Sequence, residues 1–156
     1  IIYAEIFVNT EPASTLTLEI KDILLDSYKK LFTTTPLEAD AKEKNPFIIR
    51  YYQAIKPQAS LAPQGISIAS LSMIRTRFIL EWNRINENPM PFKLFEYHTQ
   101  LLREGLFEAY QQWLFGPSTN LTDFQQWTKT NPEVYQQFSQ FQKNLLFKMP
   151  VGQYYH

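Results

Sequence analysis

The spacing of apolar residues predicts helices along most of this chain. From Leu16 onward, large apolar side chains recur every three or four residues, which is the spacing of one face of a helix. These positions are Leu16, Ile20, Ile23, Leu24, Tyr28, Leu31 and Phe32. Ser14 or Thr15 stands just before them and is suited to cap the first turn, so the first clear helix begins near residue 16.

Asparagine and proline mark the ends of further helices. Asn45 followed by Pro46 predicts a helix start, because asparagine caps well and proline suits the first helical position. This helix should stop at Pro57. Later helices are expected over about 67–86, 92–116, 120–127 and 131–145, with Gly116-Pro117 ending the second of these.

Two segments are harder to assign. Residues 1–8 are rich in β-branched and aromatic side chains, and they are read as a short strand. Gly105 interrupts the apolar stripe that runs from Phe95 to Trp113. A glycine inside a helix costs about 1 kcal/mol relative to alanine, so either a neighbouring segment approaches closely there or the helix breaks and restarts.

A short aromatic phrase recurs three times in the last third of the chain. Its copies are Tyr110-Gln111-Gln112-Trp113, Phe124-Gln125-Gln126-Trp127 and Tyr135-Gln136-Gln137-Phe138. Residues three apart lie on one stripe of a helix, so the two rings of each phrase should share a face and the glutamines should point elsewhere. We therefore expect Trp113, Trp127 and Phe138 to be largely buried in one cluster.

These patterns predict a mostly α fold. The expected architecture is a single domain of about six or seven short helices over residues 1–156, arranged as an irregular bundle or an array of helical hairpins. The strand at the N-terminus is its only β element. Asn88, Pro89 and Pro91 form the strongest internal break, so a subdomain junction is expected at 88–91.

Composition narrows the range of partners. Fifteen basic residues balance fifteen acidic ones, so no nucleic acid would be attracted by net charge. No apolar run reaches the roughly 20 residues that a membrane span requires, and the chain reads as soluble. Cysteine is absent, which excludes disulfides and thiolate chemistry. The compartment stays open.

Few residues are candidates for chemistry. His98 and His156 have no partner at metal-ligand spacing, so neither a metal nor another cofactor is expected. His98 lies on an apolar stripe and is read as a buried histidine. Glu104 and Glu108 are one helical turn apart and could act as an acid and base pair, although a solvated face is the simpler interpretation. The arginines are interpreted as solvated or ion-paired.

The predicted function is a non-enzymatic helical interaction or scaffold domain, either alone or as one subunit of a larger assembly, with protein as the partner. Low charge, aromatic and glutamine enrichment and the lack of a catalytic motif favour it. The alternative is a small-molecule binding domain or enzyme with a pocket between helices near His98, Glu104 and Glu108.

The expected partner-binding segment is residues 57–74, which carry no charged side chain. A long uncharged stretch of a soluble protein is usually covered, either by the domain itself or by another chain. The contacting residues would be Leu61, Ile66, Ile68 and Leu71.

Overall fold

The helices begin and end largely where local chemistry requires it. In the computed structural model, which describes residues 1–34, 36–63, 65–84 and 90–153, there are eight α-helices and one 3₁₀ helix. They are α1 (Ile2–Thr10), α2 (Thr17–Thr33), α3 (Pro46–Ile55), the 3₁₀ helix (Lys56–Leu61), α4 (Ile68–Arg84), α5 (Lys93–Arg103), α6 (Phe107–Thr119), α7 (Leu121–Thr130) and α8 (Pro132–Asn144). The predicted mostly α fold is confirmed, with eight α-helices in the described residues where six or seven were expected.

Two predicted helix starts have the expected caps. The Asn45 side-chain oxygen accepts from the backbone N–H of Phe47 at 2.9 Å, and Pro46 is the first residue of α3. At α7, the Asn120 side chain accepts from the N–H of Asp123 at 3.1 Å. Each cap satisfies a backbone donor that the first helical turn leaves free.

The predicted N-terminal strand is wrong, because residues 2–10 form α1. The buried positions of this helix are Ile2, Glu5, Val8 and Asn9, which share one helical face. Two of the four are polar, so a count of apolar residues misses the helical period. The described residues also contain no second strand with which a strand here could pair.

Gly105 separates two helices and does not lie inside one. Its φ of 70° is in the left-handed region, which glycine adopts without the steric cost of a Cβ. The N–H of Leu106 donates to the Leu101 carbonyl at 2.8 Å, and the N–H of Gly105 donates to the Leu102 carbonyl at 3.2 Å. These two bonds form a Schellman motif, which ends α5 and lets α6 start in a new direction.

The prediction that Gly116-Pro117 ends a helix is also wrong. Helix α6 continues through Pro117 to Thr119. Gly116 instead allows a close approach, since a Cβ at this position would lie 2.5 Å from the Cδ2 atom of Phe124 on α7. The glycine therefore sets the packing distance between α6 and α7.

Helix α6 lies at the centre of one hydrophobic core and packs against α2, α4, α5, α7 and α8. Its residues Tyr110, Leu114 and Phe115 have no exposed surface.

Of the described helices, none is both long and apolar enough to cross a bilayer. The junction expected at 88–91 falls partly on residues 85–89, outside the described part of the chain, and His156 also lies outside it.

The aromatic phrases pack together, but unequally. Phe138 is fully buried, and its ring centroid lies 5.9 Å from those of Tyr110 and Trp113. Trp113 and Trp127 are only half-buried against the same core. All three rings belong to one cluster, as expected, but Phe138 lies at its centre, whereas Trp113 and Trp127 are partly exposed at its edge.

Candidate functional site

A buried ion pair joins the first helix to the centre of the domain. Arg75 Nη2 of α4 donates to Glu5 Oε1 of α1, and only 3% and 2% of the two side chains remain exposed. Glu5 is directed inward because it shares its helical face with Ile2 and Val8. Arg75 likewise lies on the buried, largely apolar face of α4, next to Ile74. The helix periods of α1 and α4 thus place two charged groups in the core.

Two further donors reach the same carboxylate oxygen. His98 Nε2 of α5 lies 2.8 Å from Glu5 Oε1, and the hydroxyl of Tyr110 of α6 donates to it at 2.6 Å. Since a carboxylate only accepts, Nε2 donates to it in the tautomer of neutral His98 that carries its proton on Nε2; the same nitrogen lies 3.3 Å from Arg75 Nη2. Asn9 Nδ2 in turn donates to the Tyr110 hydroxyl oxygen at 2.8 Å. Side chains from four helices therefore meet at one acidic group. We call Glu5, Asn9, Arg75, His98 and Tyr110 the polar cluster.

Arg75 is held by a second set of contacts. Its Nη1 donates to Gln111 Oε1 at 2.6 Å, and Gln111 is completely buried. The guanidinium carbon also lies within 5.7 Å of four aromatic ring centroids, those of Tyr28, Phe107, Tyr110 and Phe115. Rings at this distance stabilise a desolvated cation through their negative faces.

The polar cluster is electrically balanced. Burial alone would raise the pKa of Glu5, but the charge of Arg75, followed by the interactions with His98 and Tyr110, lowers this pKa to about 2. Burial lowers the pKa of His98 below its ordinary value, against the opposing effect of Glu5. Burial and the charge of Glu5 raise the pKa of Tyr110 well above its ordinary value. Near neutral pH, the cluster therefore contains one anion, one cation and two neutral rings.

The polar cluster has no room for a substrate. The void beside Glu5, Arg75 and His98 measures about 10 Å³, which is no more than one water molecule requires. Its remaining walls are apolar or aromatic, formed by Ile1, Ile2, Tyr28, Tyr51, Ile55, Phe78 and Phe95. The arrangement can hold charge and fix the positions of helices, but it cannot admit a reactant in this conformation.

A larger and more open cleft lies between the end of α1 and the segment that follows α8. Its volume is about 280 Å³, and Asn9, Pro12, Tyr97, Leu146 and Lys148 are among its lining residues. Among the described residues, none donates a hydrogen bond to the buried Oδ1 atom of Asn9. In the part of the chain that the structure describes, no group of three or more histidine, aspartate or glutamate side chains could hold a metal ion.

The structure separates the residues of the alternative site predicted from the sequence. His98 is buried in the polar cluster, as expected for a histidine on an apolar stripe. Glu104 and Glu108 are both exposed. The carboxylate of Glu108 lies 3.4 Å from Nε1 of Trp127, so its described contact is with α7 and not with His98.

The residues of the expected partner-binding segment lie in different environments. Leu71 is fully buried in the domain's own core. Leu61, Ile66 and Ile68 are half-buried and pack against that core. Their contact with a partner stays a prediction, and the uncharged segment is covered at least in part by its own domain.

Sequence reasoning missed Glu5, Arg75, Tyr110 and Gln111 as members of a site. The available signal was a charged residue at an inward position of an apolar stripe. Glu5 interrupts the apolar residues 1–8, and Arg75 lies between Leu71 and Phe78 at helical spacing. The sequence does not show which charges form a pair, because the two partners are about 70 residues apart.

Compared with models of known protein families, with curated proteins and with solved structures, this chain matches none.

Proposed function

We propose that this chain is a non-enzymatic interaction domain that binds a helix of a protein partner through the outer face of α4. The supporting observation is a stripe of small and apolar residues on that face, Ala69, Met73, Thr76 and Leu80, which we call the α4 stripe. Met73 and Leu80 are 49% and 60% exposed, while the opposite face of α4 is buried.

The spacing of the α4 stripe suits a helical partner. Its members are separated by four, three and four residues, which is the spacing of a coiled-coil seam. Arg77 and Arg84 are exposed beside it and would lie at the polar edge of such an interface. Large apolar side chains surrounded by polar residues are characteristic of protein interaction surfaces.

The polar cluster supports a structural role better than a catalytic one. A general acid or base must reach within hydrogen-bonding distance of its substrate. His98 is 3% exposed beside a void of about 10 Å³, so the alternative function at His98 has weaker support.

Binding by substituted chains tests the proposal. The double variant Met73→Asp/Leu80→Asp places charge on the α4 stripe, and Leu18→Asp is the matched control, because Leu18 is 63% exposed on α2. Both variants should keep their melting temperatures nearly unchanged, since surface substitutions usually alter stability by about 0.5 kcal/mol or less.

Two measurements show whether each protein binds a partner. Sedimentation equilibrium reports self-association, and quantitative affinity capture from a cell extract reports other proteins. We expect a bound species that wild type and Leu18→Asp retain and that the double variant loses. Equal binding by the double variant, or no binding by wild type in either measurement, would contradict the proposal.

A further inference from the structure

The polar cluster resembles a carboxylate-binding site in which the bound carboxylate, that of Glu5, belongs to the same chain. Three donors from three helices, Arg75 Nη2, His98 Nε2 and the Tyr110 hydroxyl, converge on Glu5 Oε1. A buried carboxylate needs several donors to replace the water that it loses. Here all three donors come from helices other than the one that carries the carboxylate, as in a site that binds a separate molecule.

The donors are held largely without α1. Gln111 of α6 fixes the guanidinium of Arg75 at 2.6 Å, and aromatic rings from α2 and α6 surround that group. His98 packs against the rings of Phe107 and Tyr110, with centroid distances of 5.7 and 5.6 Å. Within the polar cluster, α1 contributes only Glu5 and Asn9. The site would therefore keep its shape when Glu5 is removed.

We propose that Arg75, His98 and Tyr110 form a preformed binding site for a small carboxylate, which α1 occupies as an internal ligand through Glu5. The site discriminates by charge, because only an anion balances the buried guanidinium. The adjoining void of about 10 Å³ leaves no space for a further substituent, so the site takes a carboxylate no larger than the end of a glutamate side chain. This inference goes beyond the proposed function, since it concerns a different face and a different class of ligand.

The variant Glu5→Ala tests the site in the full chain. This substitution removes two carbon atoms and two oxygen atoms, which are the heavy atoms of acetate. We expect acetate to raise the melting temperature of Glu5→Ala in a saturable manner at constant ionic strength, relative to chloride. Acetamide, which is neutral and of similar size, should have no such effect. Wild type should show no difference between acetate and chloride.

Two further variants separate specific binding from a general salt effect. Glu5→Gln fills the space of the original side chain, so acetate should not stabilise it. Glu5→Ala/Arg75→Met lacks the guanidinium, so the acetate effect should disappear. Equal shifts in Glu5→Ala and Glu5→Gln, or a shift that survives the loss of Arg75, would overturn the proposal.

If Glu5→Ala does not fold in chloride, its refolding tests the proposal instead. Glu5→Ala would then be refolded from denaturant in acetate, in chloride and in acetamide, and followed by circular dichroism. Recovery of helix in acetate alone supports the site. Failure to recover in acetate counts against it, because a preformed site should be filled by the free ion. Neither result depends on Met73 or Leu80, so failure here is distinguishable from failure of the proposed function.

Discussion

Lys21 of α2 supplies the hydrogen bond that Trp113 of α6 cannot make within its own helix. Lys21 Nζ donates to the carbonyl oxygen of Trp113 at 2.7 Å. In a regular helix this carbonyl would accept from the N–H of residue 117, but Pro117 has none. The same ammonium lies 3.7 Å from the centroid of the Trp113 ring. One side chain therefore compensates for the proline and joins α2 to α6.

We predict that Lys21 and Pro117 are energetically coupled. Lys21→Met should lower the free energy of unfolding by roughly 1–3 kcal/mol, because the Trp113 carbonyl loses its partner in a partly buried place. In a Pro117→Ala background, the new N–H can bond to that carbonyl, so the same substitution should cost less. Denaturant unfolding of the four proteins measures the difference, and a coupling energy below about 0.5 kcal/mol would contradict this account.

Gly116 should be intolerant of even one methyl group. Gly116→Ala places a Cβ 2.5 Å from the Phe124 ring, so α7 must shift and the free energy of unfolding should fall by roughly 1–3 kcal/mol. The double variant Gly116→Ala/Phe124→Ala should show a smaller loss from the added methyl. Thermal unfolding of wild type, the two single variants and the double variant measures the stability that the added methyl group costs in each background. An unchanged stability of Gly116→Ala would show that α7 moves freely.

The domain should lose stability in acid in two steps. The folded pKa of Glu5 is about 2 against an ordinary 4.5, so the unfolded chain binds the extra proton and stability falls as pH decreases from 4.5 towards 2. The full effect of this group is roughly 3 kcal/mol. His98 also has a lowered folded pKa, so the unfolded chain is protonated first and stability falls as pH decreases below 6.5.

The variant His98→Gln isolates the first step. Urea unfolding from pH 7.5 to pH 3 should show a decline below pH 6.5 in wild type that is reduced in His98→Gln, while the steeper decline below pH 4.5 persists in both. A wild-type protein whose stability stays constant between pH 6.5 and pH 5 would contradict the lowered pKa of His98.

The three aromatic phrases should differ in their contribution to stability. Phe138 has no exposed surface, so Phe138→Ala should cost roughly 3–5 kcal/mol of unfolding free energy. Trp127 is half-buried, and Trp127→Ala should cost clearly less. Chemical denaturation with both variants measures this order. An equal or larger loss at Trp127 would show that the edge of the cluster is as important as its centre.

Local signals explain how much of the fold could be predicted. The spacing of apolar residues in α2 and the Asn45-Pro46 start of α3 are properties of neighbouring residues, and both are confirmed. Two errors came from the same kind of reasoning. The residue types of segment 1–8 predict a strand and Gly116-Pro117 predicts a helix end, whereas α1 contains a buried Glu5 and α6 continues through Pro117. In each case a distant side chain, Arg75 or Lys21, satisfies the group that local chemistry leaves unsatisfied.

The sequence by itself determined the helical class and most helix positions, because periodicity and caps act over a few residues. It also identified His98 as a buried histidine. Only the tertiary structure decided that Glu5, Arg75 and Tyr110 surround it, since these residues come from separate helices and meet through packing. A buried charge is stable only when a partner is present, and the fold, not the local sequence, provides that partner.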